Sequence, residues 1–292
     1  MTRFGPAGNS ERFYEEGHKA TVEAPAWVAA QGLNAFEYSA GRGVSLSEAT
    51  ARAIGEEAKA HGVALSLHAP YYINCATPDP EKREKTLGYL LASARACHHL
   101  GGERVVFHVG APVGQPRAEA NRRAADTVLE ALAQMETLGL GHIRLCPETM
   151  GKASQLGSLE EVLDLCLLDE RLIPVLDFGH LHARDLGALN TQADFRAVLD
   201  KLIAALGTER ARHFHAHFSR IAYMDKGEKR HMRFSDPGYG PDFALLAPLL
   251  PEYNLEPVII CESNGSQADD AMMMKRQWEK ACDQRMEESS HG

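Results

Sequence analysis

The chain lacks any apolar run of the length that crosses a membrane. The nearest candidate, Phe243–Leu250, is short and contains Pro248. Met1–Glu11 carries no basic stretch leading into an apolar one, so the sequence predicts a cytoplasmic protein. No Cys-x-x-Cys pair is present; Cys75, Cys97, Cys146, Cys166, Cys261 and Cys282 are scattered and read as reduced core thiols. A basic surplus is absent too. The net charge of −9 argues against a nonspecific nucleic-acid binder but leaves room for a local basic rim. No Pro- or Ser-rich linker divides the 292 residues. With 44% hydrophobic and 24% charged residues there is ample material for one large core.

What is present is an alternation of strand-like and helix-like segments. Strands are expected at Thr2–Gly5, Asn34–Tyr38, Val63–His68, Arg104–His108, His142–Glu148, Leu172–Asp177, Arg212–Phe218 and Glu256–Glu262. Helices are expected at Ala20–Gln31, Ser47–His61, Pro80–Leu100, Arg117–Leu138, Leu159–Leu168, Asp194–Leu206, Phe243–Leu250 and Ala268–Cys282. Eight such repeats predict the α/β class and a single (β/α)8 barrel over residues 1–285, with a polar, frayed tail at 286–292. Ser219–Pro241 is the one long irregular stretch, and loops of that length in compact domains are usually functional or mobile.

The apolar runs keep ending in metal-type ligands. LSLHAP ends at His68, VVFHVG at His108, IRLCPET at Glu148 and PVLDFGH at Asp177 and His180. RHFHAHFS carries His215 and His217, and VIICES ends at Glu262. In a parallel barrel the C-terminal ends of all strands open on one face, so these residues would converge there. Buried carboxylates are costly unless paired or bound to metal, and imidazoles beside them suit Zn, Mn or Fe. His215 and His217 are two apart on a strand and face one side; one is expected to ligate while the other supports it or touches substrate. His182 and His231 are ambiguous on spacing alone, and His98 and His99 read as ordinary helix residues.

HAPYYIN at 68–74, FHVG at 107–110, PET at 147–149, DFGH at 177–180, HAHFS at 215–219 and ES at 262–263 resemble the signatures of the endonuclease IV family of abasic-site endonucleases. Related xylose-isomerase-like barrels carry similar ligands. The resemblance implies a barrel with three zinc ions that hydrolyses the phosphodiester 5′ to an abasic site. It implies that His68, His108 and Glu148 hold one ion, and that Glu148 bridges to a second held also by Asp177, His215 and Glu262. It implies a third site at His180 and His231, and that Tyr71 matches a tyrosine in the loop that enters damaged DNA. Two departures stand out. The family's third site takes an Asp-x-His pair where this chain reads Lys229-Arg230-His231, so either the Lys229 charge or a displaced Glu228 must stand in. The family also has Asn-Asp where this chain has His217-Phe218, and Arg42 is the only cation in the SAGRGVS loop.

The leading expectation is therefore a metal-dependent phosphodiester hydrolase acting on damaged duplex DNA. Glu148 and Glu262 are the expected catalytic carboxylates; Tyr71, Tyr72, Arg42, His217, Lys229 and Arg230 are the expected substrate contacts, with Arg233 a further phosphate candidate. Two divalent ions, zinc first with Mn or Fe as alternatives, are expected in the core and a third at the incomplete outer pair. The alternative is a divalent-metal-dependent sugar isomerase or epimerase acting on a small sugar or sugar phosphate. A monomer with no membrane partner is expected in either case.

Overall fold

The computed structural model describes residues 1–291, with side chains through Glu287. The chain begins with β1 (Arg3–Pro6), α1 (Glu11–Glu15), a 3-10 turn at Thr21–Glu23, α2 (Ala24–Ala30) and β2 (Ala35–Ser39). It continues through α3 (Glu48–Ala60), β3 (Ala64–His68), α4 (Pro80–His99), β4 (Arg104–His108), α5 (Arg117–Thr137) and β5 (Arg144–Glu148). Then come α6 (Leu159–Cys166), β6 (Val175–Asp177), α7 (Phe178–Arg184), α8 (Gln192–Arg212) and β7 (His215–Phe218). A hairpin of β8 (Arg220–Met224) and β9 (Gly227–Met232) precedes α9 (Phe243–Leu246), α10 (Leu249–Glu252), β10 (Val258–Cys261) and α11 (Gln267–His291). Among the described residues no helix is long and apolar enough to cross a membrane.

Eight strands form one parallel sheet in the order β1-β10-β7-β6-β5-β4-β3-β2. A bridge between Ala7 and Glu37 brings its ends together, giving a nearly closed (β/α)8 barrel. Alternation along each strand sorts side chains between the lumen and a helix-facing wall. Phe4, Phe36, Phe107, Phe214 and Phe218 belong to the large wall core. Val106, Cys146 and Val175, with Ile173 against them, form a small separate cluster. Helix starts are set by side-chain caps: Ser47, Asp79 and Ser158 each accept a backbone N–H from the first turn. The six cysteines are free thiols, five of them buried. Burial pushes Cys75, Cys146 and Cys261 up to about 12, so they stay protonated.

Several expected elements differ. The irregular stretch at 219–241 contains the antiparallel β8–β9 hairpin. The expected helix at Ala20–Gln31 is a 3-10 turn followed by α2, and that at Phe243–Leu250 is split where Pro248 lacks an N–H to donate. Gly207, at φ 75°, interrupts α8 just after the expected end at Leu206. The tail is helical through His291 rather than frayed from residue 286, and Gly292 lies outside the described residues.

Candidate metal centre

Glu148 stands at the centre of the C-terminal face. It ends β5, directly beside His108 in the register of β4 and β5. Its two carboxylate oxygens serve different neighbours. Oε2 lies 3.3 Å from His68 Nε2 and 3.2 Å from His108 Nε2. Oε1 lies 2.9 Å from His217 Nδ1 and 3.5 Å from His180 Nδ1. Burial alone would raise this carboxyl, but the imidazoles of His217, His108 and His180 outweigh it and hold it well below the usual carboxylate range.

Three groups of donors share this centre: His68, His108 and Glu148; Glu148, Asp177, His217 and Glu262; and His180, Glu228 and His231. Within each group the donor atoms lie within 4.8 Å of one another. Most of the imidazoles are locked from behind. His68 Nδ1 pairs with Ala69 O at 2.8 Å, His180 Nδ1 with Thr149 O at 2.9 Å, and His231 Nδ1 with Ser219 Oγ at 2.8 Å. A ring whose Nδ1–H donates to a carbonyl presents Nε2 as a lone-pair donor.

Asp177 does two things at once. It ends β6 and α7 starts at the next residue, so Oδ1 caps the helix by accepting from the His180 N–H at 2.6 Å. That cap brings His180 back into the site. Oδ2 is buried and, among the described residues, has no hydrogen-bond partner, with His180 Nδ1 3.3 Å away. Burial pushes the Asp177 carboxyl up to about 6; the nearby His180 opposes this, while Glu262 and Glu148 add repulsion. An orphaned carboxylate oxygen beside two further carboxylates is the environment a divalent cation would satisfy.

The third group owes its carboxylate to a bulge. On β8 and β9, Ala222 faces Arg230 but Tyr223 faces Glu228, so Lys229 is the extra residue. A strand alternates faces, and Glu228 and His231, three apart, would point to opposite sides of a regular strand. One extra residue restores a common side. Glu228 Oε2 lies 3.5 Å from His180 Nε2, and the Glu228 N–H bonds Gly151 O at 2.9 Å, tying the hairpin to the loop after β5. Lys229 is exposed. The displaced Glu228, not Lys229, meets the outer histidines.

Of the two strand-β7 histidines, the structure places His217 rather than His215 beside Glu148 and Glu262. The reason is register: Asp177 pairs with His217, which makes His217 the last inward residue of β7. His215 lies deeper, its Nε2 3.3 Å from Glu37 Oε2. Burial holds the His215 imidazole down at about 4, so it is neutral there. Glu37, from the middle of β2, was not anticipated. It is fully buried, with Oε1 3.0 Å from His217 Nε2 and Oε2 accepting from Ser66 Oγ at 2.8 Å.

Above these groups opens a cavity of about 540 Å³, lined among others by Tyr71, Lys152, Gln155, Glu228, Glu262 and Gln267. Tyr71 stacks on His108 and meets His68 edge-on, with ring centroids 5.5 Å and 5.1 Å apart. Gly41 allows this: a Cβ there would stand 2.1 Å from the Tyr71 ring. Tyr72 instead packs on Tyr89 at the rim. Arg42, Lys229 and Arg230 are exposed and do not line the cavity; its lining cation is Lys152, which sequence reasoning missed. Arg233 is engaged elsewhere, bonding Glu11 Oε2 at 2.6 Å and Asn264 O at 2.8 Å.

The profile of the family described as "Xylose isomerase-like TIM barrel" matches residues 25–286. An uncharacterized protein of Methanocaldococcus jannaschii is 30% identical over 243 residues, covering 83% of this chain and 86% of that one. A Mycoplasma pneumoniae protein named "Probable endonuclease 4" is 27% identical over 202 residues, 67% of each chain. Among solved structures, a D-tagatose 3-epimerase-like protein superposes with a TM-score of 0.70 at 18% identity, covering 98% of this chain and all of that one. Endonuclease IV from Thermus thermophilus superposes at 0.68 and 22%, covering 95% and 99%. At these identities the superpositions speak for the fold alone.

Proposed function

Since the chain belongs to the xylose isomerase-like TIM barrel family, and its Glu148 carboxylate is divided between two groups of donors, we propose that it is a metal-dependent phosphodiester hydrolase that cleaves DNA 5′ to abasic sites. The divided carboxylate is the observation that carries this reading. Were divalent ions bound in both groups, Glu148 would contribute an oxygen to each, the arrangement that lets two ions stabilise the attacking and leaving oxygens of an in-line displacement. The completed third group, with Glu228 in it, adds the outer site.

The donors present are imidazole nitrogens and carboxylate oxygens, and they fit zinc, with Mn or Fe accepting the same set. Bound there, divalent ions supply a nucleophile at neutral pH and neutralise charge on the attacking and leaving oxygens. The rest falls to the chain's own residues. The carbonyls of Ala69 and Thr149 accept from Nδ1–H of His68 and His180 and so set their tautomers, while Ser219 Oγ steadies the His231 ring. Glu262 faces the cavity, and with no ion bound the charged His217 holds its carboxyl well below the usual range although burial opposes ionisation; a bound divalent ion would take over that role. It is therefore a charged group that orients an attacking water. Lys152 meets the phosphate inside the cavity, while exposed Lys229, Arg230 and Arg42 follow the backbone outside it. The exposed rings of Tyr71 and Tyr72 stack where the base is missing, the position at which unstacking costs least.

Zinc-loaded protein is expected to nick a duplex containing one abasic-site analogue, and Glu262→Gln to abolish nicking. An intact duplex after incubation with excess wild-type protein would sink the proposal.

A second reading is a sugar isomerase or epimerase. What favours it is that Glu148, Asp177, His217 and Glu262 form a four-donor group beneath a cavity small enough for a monosaccharide. Exchange of carbon-bound hydrogen in a ketose panel, followed by NMR, would favour it. So would a single ion per chain.

A further inference from the structure

His217 is oriented opposite to His68, His108 and His231, which turn Nε2 toward the carboxylates of Glu148 and Glu262. His68 and His231 have Nδ1 held by Ala69 O and Ser219 Oγ. His217 turns Nδ1 toward the centre, 2.9 Å from Glu148 Oε1 and 3.5 Å from Glu262 Oε2. Its Nε2 therefore points down into the lumen, where among the described residues it has no hydrogen-bond partner. The group it faces there is Glu37 Oε1 at 3.0 Å. Both atoms are fully buried and, among the described residues, neither has a hydrogen-bond partner, so the 3.0 Å contact sets each against the other. Ser66 Oγ bonds the other Glu37 oxygen at 2.8 Å, and His215 Nε2 lies 3.3 Å from that same oxygen. The carboxylate is thus held on one side with its free oxygen aimed at His217.

We propose that Glu37 is the positioning residue for His217. It accepts the Nε2–H, fixes the tautomer in which Nδ1 carries the lone pair, and aims that lone pair at the group formed with Glu148, Asp177 and Glu262. The inference rests on the metal-centre reading above. Glu37, His215 and His217 also lie close enough together to form a donor group of their own. Used as a separate ion site, they would require His217 to ligate through both nitrogens at once. A supporting carboxylate asks only for the neutral ring.

The test is zinc affinity of chelator-stripped protein, measured by competition with a chromophoric chelator, together with nitrogen-15 NMR of the His217 ring. Glu37→Leu removes the acceptor and is expected to weaken zinc binding about 10–100-fold. It should also shift His217 away from the Nε2–H tautomer. Glu37→Gln keeps an accepting oxygen without the charge and is expected to recover part of the affinity and the tautomer. Should Glu37→Leu fail to fold, Ser66→Ala decides, with an expected loss of affinity smaller than the roughly 10-fold lower bound for removing the carboxylate itself. Unchanged affinity and tautomer in folded Glu37→Leu, or unchanged affinity in Ser66→Ala where that variant decides, would overturn the inference alone. Wild-type protein that takes up no zinc would overturn the metal-centre reading as well.

Discussion

The strands of this barrel present opposite chemistries on their two faces. Toward the helices, Phe4, Phe36, Phe107, Phe214 and Phe218 are almost wholly buried in a continuous apolar wall. Toward the lumen, Glu37, Glu148, Asp177, His215 and His217 are buried just as completely. The wall gains about 1.5–3 kcal/mol for each large side chain withdrawn from water. The lumen loses on every charge it buries and recovers only what the charges return to one another. Barrels of this kind ordinarily fill the lumen with branched aliphatic residues. Here the small cluster of Val106, Cys146, Val175 and Ile173 does so, and it comes from the β4–β6 side alone. Folding and chemistry are thus assigned to alternate residues of the same strands, and the two should respond to mutation separately.

Phe107→Ala tests that separation most severely. It is expected to destabilise the protein by about 3–5 kcal/mol through loss of burial and the cavity left behind. Zinc bound per folded chain should not change. Urea unfolding in the presence of chelator, paired with metal analysis of the folded fraction, reads both quantities. A parallel fall in metal content would mean that the two faces cannot be separated.

Glu161 shows a carboxylate that is well matched outside the lumen. Arg117, Asn121 and the backbone N–H groups of Gly157 and Ser158 all donate to it. Burial opposes its ionisation, yet these partners pull its carboxyl down to about 2 from 4.5. A folded value below the unfolded one means that the contribution is complete above about pH 4.5 and fades as pH falls toward 2. Discounted for partial screening by solvent, Glu161→Gln should cost roughly 1–2 kcal/mol at pH 7. The gap to wild type should shrink in denaturant titrations run down to pH 3. A gap that widens on acidification would show that the charge is not what stabilises this junction.

The smallest effects belong to the rim. Lys229→Ala is expected to stay within about 0.5 kcal/mol of wild-type stability, with its zinc content unchanged. Glu228→Ala should lose one ion per chain by metal analysis. The reverse pattern would return the third site to the lysine.

The strand ends were legible because apolar runs with period two announce where a parallel strand stops. His68, His108, Glu148, Asp177 and Glu262 follow from that rule. Height along a strand was not legible. Spacing shows that His215 and His217 share a face, but only pairing with Asp177 decides which one reaches the rim. Glu37 was passed over because it sits mid-strand, although a carboxylate inside AFEYS, among apolar neighbours, was a signal available to be read. The hairpin was hidden because β9, GEKRHM, carries no apolar run, and α7 by starting at the residue after β6 with no loop between them.

The bulge at Lys229 has a consequence for how such chains are compared. Distance along the chain and distance in space come apart wherever a strand takes in one extra residue. One inserted codon in the hairpin, with an Asp-to-Glu exchange, turns Asp-x-His into Glu-x-x-His and leaves the carboxylate facing the same histidines. A search by fixed spacing passes over the donor group of His180, Glu228 and His231, whereas a search by strand face finds it.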